Sequence, residues 1–276
     1  MNVALKSIEN LDITAIKGNV PSTHTDLADT AALRRRLKSA QAEWARIDTA
    51  VKCGQRTLLW GPPGTGKSFA GFSGIDPDKL SRLYLTLDTP AAEVRGHWVP
   101  VKDGFKWHDG PAVNAWRVGG RLLIDEIDAA SGDTLTILLG ILDDPESARM
   151  TLPSNELVRP KEGFACVATT NQIPTVLPEA LLDRFDTCIH VTTPNPVAFL
   201  SPWHSKQVRA AAFRITYLSS QKLKGPGNRN IGLRAFKSID RFVGAGIALD
   251  EAASMVLGDE SGKWFSIAVK IAGDTL

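Results

Sequence analysis

The feature that most constrains the fold is a run of eight residues that follows a short apolar segment. Residues 61–68 have the sequence GPPGTGKS, and residues 57–60 before them are Thr-Leu-Leu-Trp. This order fits the pattern G-x-x-x-x-G-K-[ST] placed after a buried strand. The glycines allow positive φ angles that turn backbone N–H groups inward around an anion, and the following helix directs its N-terminal dipole at the same anion. The sequence therefore predicts a strand, a phosphate-binding loop and a helix, in that order.

The polar residues of this loop each have an expected partner. We expect the Lys67 ammonium group to bind the β- and γ-phosphates of a nucleotide, and the Ser68 hydroxyl group to be a ligand of Mg²⁺. The alternative is a Gly/Pro turn that binds nothing. The residues predicted to bind the nucleotide at this loop are Gly61, Pro62, Gly64, Thr65, Gly66, Lys67, Ser68 and Phe69.

Composition limits the class of protein but not its partners. The 29.8 kDa chain has 43% hydrophobic and 22% charged residues, as globular proteins do. Its formal net charge of +2 neither favours nor excludes a nucleic-acid partner. The three cysteines lack metal-ligand spacing and favour a reducing compartment, and we recognise neither a signal peptide nor a membrane-spanning apolar run. We expect a soluble cytoplasmic protein with no membrane partner.

Five short apolar runs are separated by intervals long enough for helices. This alternation predicts a parallel sheet covered on both faces, with ligands bound beyond the carboxyl ends of the strands. The runs are residues 57–60, 83–87, 122–124, 165–168 and 188–191. The polar residues that follow them are therefore candidates for the functional site.

Two acids follow the third run, and an amide follows the fourth. We expect Asp125 to hold Mg²⁺ together with Ser68, and Glu126 to polarise the water that attacks the γ-phosphate. The alternative for these acids is a helix N-cap pair, and Asp128 is interpreted as a capping or surface acid. Asn171 can orient the attacking water or the γ-phosphate, although asparagine is also an ordinary turn residue.

With these motifs in place, the chain from about residue 53 to 242 resembles the AAA+ ATPases, most closely the MoxR-like group that includes the CbbQ and NorQ proteins. The resemblance depends on GPPGTGKS at 61–68, GGRLLIDEID at 119–128, ATTN at 168–171 and LPEALLDRF at 177–185. It implies an α/β fold, in which a P-loop NTPase parallel sheet with helices on both faces is followed by a small α-helical lid domain. The expected domains are an arm with leading helices (1–50), the nucleotide-binding core (51–193) and the lid (194–276).

The resemblance also implies roles for single residues. Asn171 falls at the sensor 1 position, and Arg184 at the arginine finger that reaches the γ-phosphate in the neighbouring subunit. The alternative for Arg184 is an ordinary arginine at a helix C-terminus. Arg234 falls at sensor 2 of the lid, although its flanking residues depart from the expected Ser-x-Arg. ATP, rather than GTP, is implied by the family and by the lack of an Asn-Lys-x-Asp motif.

Two hairpins are predicted within the core. The segment 99–107 is predicted to be a hairpin with a two-residue turn at Asp103-Gly104, in a register that projects two tryptophans, a proline and a phenylalanine from one face. Its position matches the helix 2 insert of the family. This face could grip a polypeptide, stack on bases, or simply hold the hairpin to its own domain. The projecting residues of this first hairpin are Trp98, Pro100, Phe105 and Trp107.

A second hairpin, at residues 150–158, matches the pre-sensor 1 position.

The resemblance implies an ATP-hydrolysing motor that acts as a ring, expected to be a hexamer, and remodels or activates a protein partner. A protein with a von Willebrand factor A domain is the implied client. Two alternatives stay open at this point: a nucleic-acid motor or loader on the same core, and a nucleotide-gated binding module. The combination of Glu126, Asn171 and Arg184 favours hydrolysis over mere binding.

Overall fold

The computed structural model describes residues 30–218 and 232–273, and the chain divides into two compact units. One unit is residues 45–192, and the other joins the residues up to Trp44 with those from Thr193 onward. Residues 1–29 of the predicted arm and leading helices lie outside the described residues. The predicted domain limits, 1–50, 51–193 and 194–276, stay a prediction.

Between residues 30 and 192, the strands of the main sheet are separated along the chain by helices, as predicted. The helices are α1 (Thr30–Lys52), α2 (Lys67–Phe72), α3 (Ala91–Arg95), α4 (Pro111–Val118), α5 (Gly132–Ile141) and α6 (Glu179–Leu182). The strands are β1 (Thr57–Trp60), β2 (Leu80–Tyr84), β3 (Gly96–Val101), β4 (Gly104–Asp109), β5 (Arg121–Asp125), β6 (Met150–Thr151), β7 (Leu157–Val158), β8 (Ala165–Thr170) and β9 (Thr187–His190).

Five of these strands form a parallel sheet in the order β2-β5-β8-β1-β9. The interior strand β5 is buried along its whole length because both faces of the sheet are covered. Leu122 and Ile124 face a core that includes Trp116 of α4 and Leu138 of α5. Leu123 faces the opposite way, against α2. The predicted fold class is confirmed, and the carboxyl ends of β1, β5 and β8 meet at one edge.

One predicted strand was misplaced. The second strand is Leu80–Tyr84, three residues earlier than the predicted 83–87. It is an edge strand whose residues alternate between buried and exposed, so it lacks the continuous apolar run that marks a central strand. Leu87, which ended the predicted run, is 75% exposed. Asp88 therefore lies in the following turn, beyond the strand end.

Both predicted hairpins are present. In the first, β3 and β4 pair with Trp98 opposite Trp107, which confirms the predicted aromatic face. The turn residues are Lys102 and Asp103, one position before the predicted pair, since Gly104 already pairs with Val101. The second hairpin pairs β6 with β7.

The second unit is helical and has its own aromatic core. Its later helices are α7 (Lys206–Leu218), α8 (Leu233–Gly244), α9 (Leu249–Leu257) and α10 (Asp259–Gly273). Helix α7 is described to its last residue, Leu218, and residues 219–231 lie outside the described residues. Helix α8 ends at Gly244, two residues before Gly246 with its φ of 91°. Within residues 30–218 and 232–273, no helix combines the length and the apolar character needed to cross a membrane.

An arginine at the start of β1 holds the segment that leads into β9. Arg56 donates from Nε and Nη2 to the carboxylate of Asp186, at 3.1 and 2.7 Å, and its Nη1 donates to the backbone oxygen of Leu142. The hydrogen bonds to Arg56 hold the pKa of Asp186 below its usual range, despite partial burial that acts in the opposite direction. This pair therefore stabilises the folded state when Asp186 is ionised.

We predict that Asp186→Asn lowers the melting temperature by about 2–4 °C at neutral pH. Because the folded pKa of Asp186 is depressed, its contribution is complete above the unfolded pKa of about 3.9 and is lost as the pH falls through the folded pKa. The melting temperatures of the variant and the parent should therefore differ most near pH 7 and approach each other as the pH is lowered from about 4 to 3. Asp103→Asn in the exposed hairpin turn serves as control. A difference that is constant across this range would contradict the prediction.

Candidate functional site

The loop between β1 and α2 has the backbone conformation that its glycines predicted. Gly61, Gly64 and Gly66 have φ angles of 136°, 79° and 97°. Gly61 also lies against β9, because a Cβ atom at this position would stand 2.4 Å from the backbone oxygen of Val191. Any side chain there would force the loop away from the sheet. The loop thus has the shape of a backbone cradle that an anion can enter.

The Lys67 ammonium group is held inside this loop. The residue is only 7% exposed, and its Nζ donates to the backbone oxygens of Gly61 at 2.8 Å and Pro62 at 2.9 Å. A third hydrogen bond, of 2.9 Å, goes to Oδ1 of Asn171. Burial lowers the pKa of Lys67, and the nearby carboxylates of Glu126 and Asp125 act in the opposite direction. All three ammonium donors therefore have acceptors.

A chain of side-chain hydrogen bonds links three of the predicted residues. Asn171 accepts from Lys67 and donates from Nδ2 to both carboxylate oxygens of Glu126, at 2.9 and 3.2 Å. Glu126 directly follows β5 and has a φ of 58°, a left-handed conformation that is uncommon for a residue with a side chain. Residues at the ends of β1, β5 and β8 thus meet in one cluster, because these strands are neighbours in the sheet.

The Asp125 carboxylate is 8% exposed and has two partners. Its Oδ1 accepts a hydrogen bond of 2.9 Å from the Thr169 hydroxyl, and its Oδ2 lies 3.4 Å from Nη2 of Arg82. The Arg82 guanidinium also lies 5.5 Å from the centre of the Phe72 ring. Sequence reasoning missed the roles of Thr169 and Arg82. The hydroxyl at a strand end was a usable signal for Thr169, whereas the misplacement of β2 concealed Arg82.

The other residues predicted at the loop are close to it in sequence and differ in exposure. Ser68 is the second residue of α2 and is partly buried, while Phe69 is 40% exposed and its ring packs edge-on against Phe72. Asp128 is hydrogen-bonded to the end of β8, because its Oδ1 accepts a hydrogen bond of 2.6 Å from the Thr170 hydroxyl.

One predicted site residue of this unit, Arg184, is not brought into this cluster. The Nε of Arg184 is 3.4 Å from the backbone oxygen of Leu139 and 3.7 Å from the carboxylate of Asp143. Its guanidinium group is about one-third exposed. Arg234 is exposed on α8, in the other compact unit.

The donor set fits a nucleotide with a hard cation. The loop offers backbone N–H groups and a buried ammonium group, which suit phosphate oxygens. Ser68 and Asp125 offer oxygen ligands, which Mg²⁺ prefers. Among the described residues, no group of three or more His, Cys, Asp and Glu side chains is arranged to hold a metal ion. A dedicated all-protein cage is not required, because Mg²⁺ is usually bound through one or two protein ligands together with phosphates and water.

Comparisons with known proteins agree with this geometry. Residues 56–185 match the family model described as AAA domain (dynein-related subfamily). The uncharacterized protein YojN of Bacillus subtilis is 34% identical over 146 residues, which are 49% of this chain and 47% of YojN. Protein CbbQ of Hydrogenophilus thermoluteolus is 31% identical over 121 residues, which are 41% of this chain and 43% of CbbQ. The chain thus spans about half the length of these curated relatives.

The crystal structure of NtrX from Brucella abortus in complex with ATP covers 99% of this chain and 73% of its own, at 14% identity and a TM-score of 0.45.

We predict that Gly61→Ala abolishes nucleotide binding, because the added Cβ would meet the Val191 oxygen at 2.4 Å. Gly74→Ala is the matched control. Gly74 also has a positive φ, of 70°, but its Cβ would meet nothing within 4 Å, so this change should cost only about 1–2 kcal/mol of folding stability. Binding of a fluorescent ATP analogue and thermal melts of both variants test the prediction. Equal nucleotide affinity in the two variants would contradict it.

Proposed function

This chain carries an AAA+ ATPase domain of the MoxR-like group, and from that premise we propose that it hydrolyses ATP as an oligomeric ring that remodels or activates a protein partner. The predicted resemblance and the predicted ATPase domain are confirmed by the family model over residues 56–185. Nucleotide binding follows from the class of the domain. The choice of ATP, the use of Mg²⁺, the ring and the client belong to the proposal.

The observation that carries the proposal is the hydrogen-bond chain Lys67–Asn171–Glu126. The ammonium group at one end of this chain would bind phosphate. The carboxylate at its other end would accept a proton from water. When phosphate oxygens enter the loop, they can replace the backbone acceptors of Lys67 without leaving this buried charge unpaired. Asn171 then holds Glu126 in place through its amide group. A positioned carboxylate of this kind is what in-line attack by water on a γ-phosphate requires.

The metal ligands in this proposal are Ser68 and Asp125. A bound Mg²⁺ would neutralise charge on the phosphates and hold them in line for transfer. The hydrogen bond from Thr169 orients one oxygen of Asp125, as groups around metal ligands commonly do. Asp125 also lies near Arg82, so the guanidinium group balances the charge of this carboxylate.

Arg184 is proposed to act in the neighbouring subunit. Its guanidinium group is partly exposed and is not part of the Lys67 cluster, which leaves it available for a site outside its own chain. An arginine offered in trans stabilises charge on the transferring phosphoryl group. Sharing of this kind makes hydrolysis depend on ring assembly, for which we propose a hexamer. Arg234 on α8 is proposed as the sensor 2 residue.

The proposed partner is a polypeptide, and the first hairpin is the proposed contact. Trp98 is 46% exposed and Phe105 is 72% exposed on its aromatic face, and exposed aromatic groups of this size commonly mark interaction sites. A client with a von Willebrand factor A domain is proposed by analogy with the MoxR-like group.

The free thiols of Cys53, Cys166 and Cys188 fit a reducing compartment, so we propose that the protein acts in the cytoplasm.

We predict that Glu126→Gln retains ATP binding but lowers the turnover rate by about 100-fold or more, because the amide cannot accept the proton of the attacking water. Steady-state phosphate release and binding of a fluorescent ATP analogue measure the two effects separately. Glu146→Gln, a change of an exposed acid near the second hairpin, is the control and should leave both unchanged. A Glu126→Gln protein that hydrolyses ATP at the parental rate would contradict the prediction.

We predict that Arg184→Ala lowers turnover by about 1,000-fold with little change in ATP affinity, because the arginine acts on the transition state in another subunit. Turnover per subunit of the parent should rise with protein concentration as rings assemble. An exposed arginine on α1 provides the control, Arg46→Ala.

Mixing variants tests the sharing directly. In an equal mixture of Arg184→Ala and Glu126→Gln subunits, about one interface in four combines an intact Glu126 with an intact Arg184, so about a quarter of the parental rate should return. A mixture no more active than its components, at concentrations where sizing shows rings, would rule out the shared site.

A further inference from the structure

A single guanidinium group joins the two hairpins of the first unit. Arg117 lies in the last turn of α4. It contacts Asp109, at the end of the first hairpin (β3 and β4, residues 96–109), and Glu156, in the turn of the second hairpin (β6 and β7, residues 150–158). Glu156 is 39 positions from Arg117 in the sequence, so only the tertiary fold brings these groups together.

The contact to the first hairpin reaches its aromatic face. Arg117 donates to both carboxylate oxygens of Asp109, from Nε to Oδ2 and from Nη2 to Oδ1. Oδ1 of Asp109 also accepts a hydrogen bond of 2.7 Å from the indole nitrogen of Trp107. Trp107 in turn packs edge-on against Trp98, with ring centres 5.6 Å apart. Trp98, which is exposed, is therefore connected to Arg117 through the contacts of Trp107 and Asp109.

The contact to the second hairpin is bidentate. Nη1 and Nη2 of Arg117 each donate to one carboxylate oxygen of Glu156. The backbone oxygen of Glu156 accepts from Leu152, and the turn also contains Asn155 with a φ of 63°. Because Glu156 belongs to this turn, a displacement of the hairpin also displaces the backbone that carries its carboxylate. The hydrogen bonds from Arg117 lower the pKa of Glu156.

The helix that carries Arg117 is a rigid support. Ala115 and Trp116 are fully buried, and the backbone oxygen of Trp116 accepts a hydrogen bond of 2.9 Å from Lys161. Arginine suits the junction because its planar group donates in several directions at once, which the single ammonium group of lysine does not reproduce. The arrangement is thus a fixed cation that two separate surface hairpins share.

We propose that Arg117 is a positioning residue that couples the two hairpins, so that a displacement of either one is transmitted to the other through the shared guanidinium group. A polypeptide that binds the aromatic face would then change the second hairpin, which it does not touch. This inference goes beyond the proposed ATPase function and does not depend on it.

Deuterium exchange of the full-length protein, followed by mass spectrometry without nucleotide, tests the coupling. Glu156→Gln weakens only the second hairpin's contact with Arg117, since glutamine keeps the shape of the side chain but not its charge. We expect exchange roughly threefold to tenfold faster in residues 96–109 as well as in residues 150–158. Asp109→Asn should produce the reciprocal effect on the second hairpin. Glu146→Gln, whose side chain is not bonded to Arg117, should change neither hairpin.

A merely local structural role gives a different result. If Glu156→Gln raises exchange in residues 150–158 alone, or in neither hairpin, the coupling is refuted. Peptides from the central strands β5 and β8 report global stability in the same experiment. An increase in residues 96–109 supports the coupling only if those strands retain the parental exchange rate, and equal acceleration everywhere refutes it. Glu156 lies on the surface, so its variant keeps the test independent of any folding defect in Asp109→Asn.

Discussion

The site depends on one physical constraint, which is the burial of the Lys67 ammonium group. A charge removed from water must be paired or hydrogen-bonded, and here two backbone oxygens of its own loop and the side chain of Asn171 supply the acceptors. This requires the loop to fold back over the lysine. That path brings Gly61 so close to Val191 that no side chain fits. The conformation of the loop and the position of its charge are therefore two aspects of the same packing problem.

The sheet extends this constraint to the acids. Strand β8 lies between β1 and β5, so its last residues face both the phosphate loop and the acids that follow β5. Thr169 and Asn171 use this position in different ways. Thr169 binds the buried Asp125, whereas Asn171 links Lys67 to the more accessible Glu126. Two adjacent carboxylates thus have separate surroundings, which is a common means of giving similar groups different roles.

Arginines perform a related task at the periphery of the unit. Arg56 binds Asp186 and a backbone oxygen of residue 142, and Arg117 binds Asp109 and Glu156. Each planar guanidinium group donates hydrogen bonds to acceptors in two separate segments. A loop or hairpin with little hydrophobic core of its own depends on such contacts for its position. One arginine stabilises the segment that carries Arg184. The other unites the hairpins that we propose to meet a partner.

Much of the site was predictable from local sequence, because covalent order and residue type control it. Glycine at 61, 64 and 66 permits the positive φ angles of the loop, and apolar runs before Asp125 and Asn171 mark central buried strands. The misplacement of one strand and the failure to predict Arg82 have the same cause. The edge strand β2 is exposed on alternate residues, so it lacked the run that located the central strands, and its Arg82 was missed.

The sequence alone determined the order of the elements, the phosphate-binding loop and the polar residues at the strand ends, since these follow from backbone conformation and from the burial of apolar residues near in the chain. The pairing of side chains distant in the sequence depends instead on the three-dimensional arrangement of the elements. Thr169 meets Asp125 across 44 positions, and Arg56 meets Asp186 across 130. Such contacts depend on the order of strands in the sheet and on the packing of hairpins against helices, which long-range hydrophobic burial selects and no local pattern encodes.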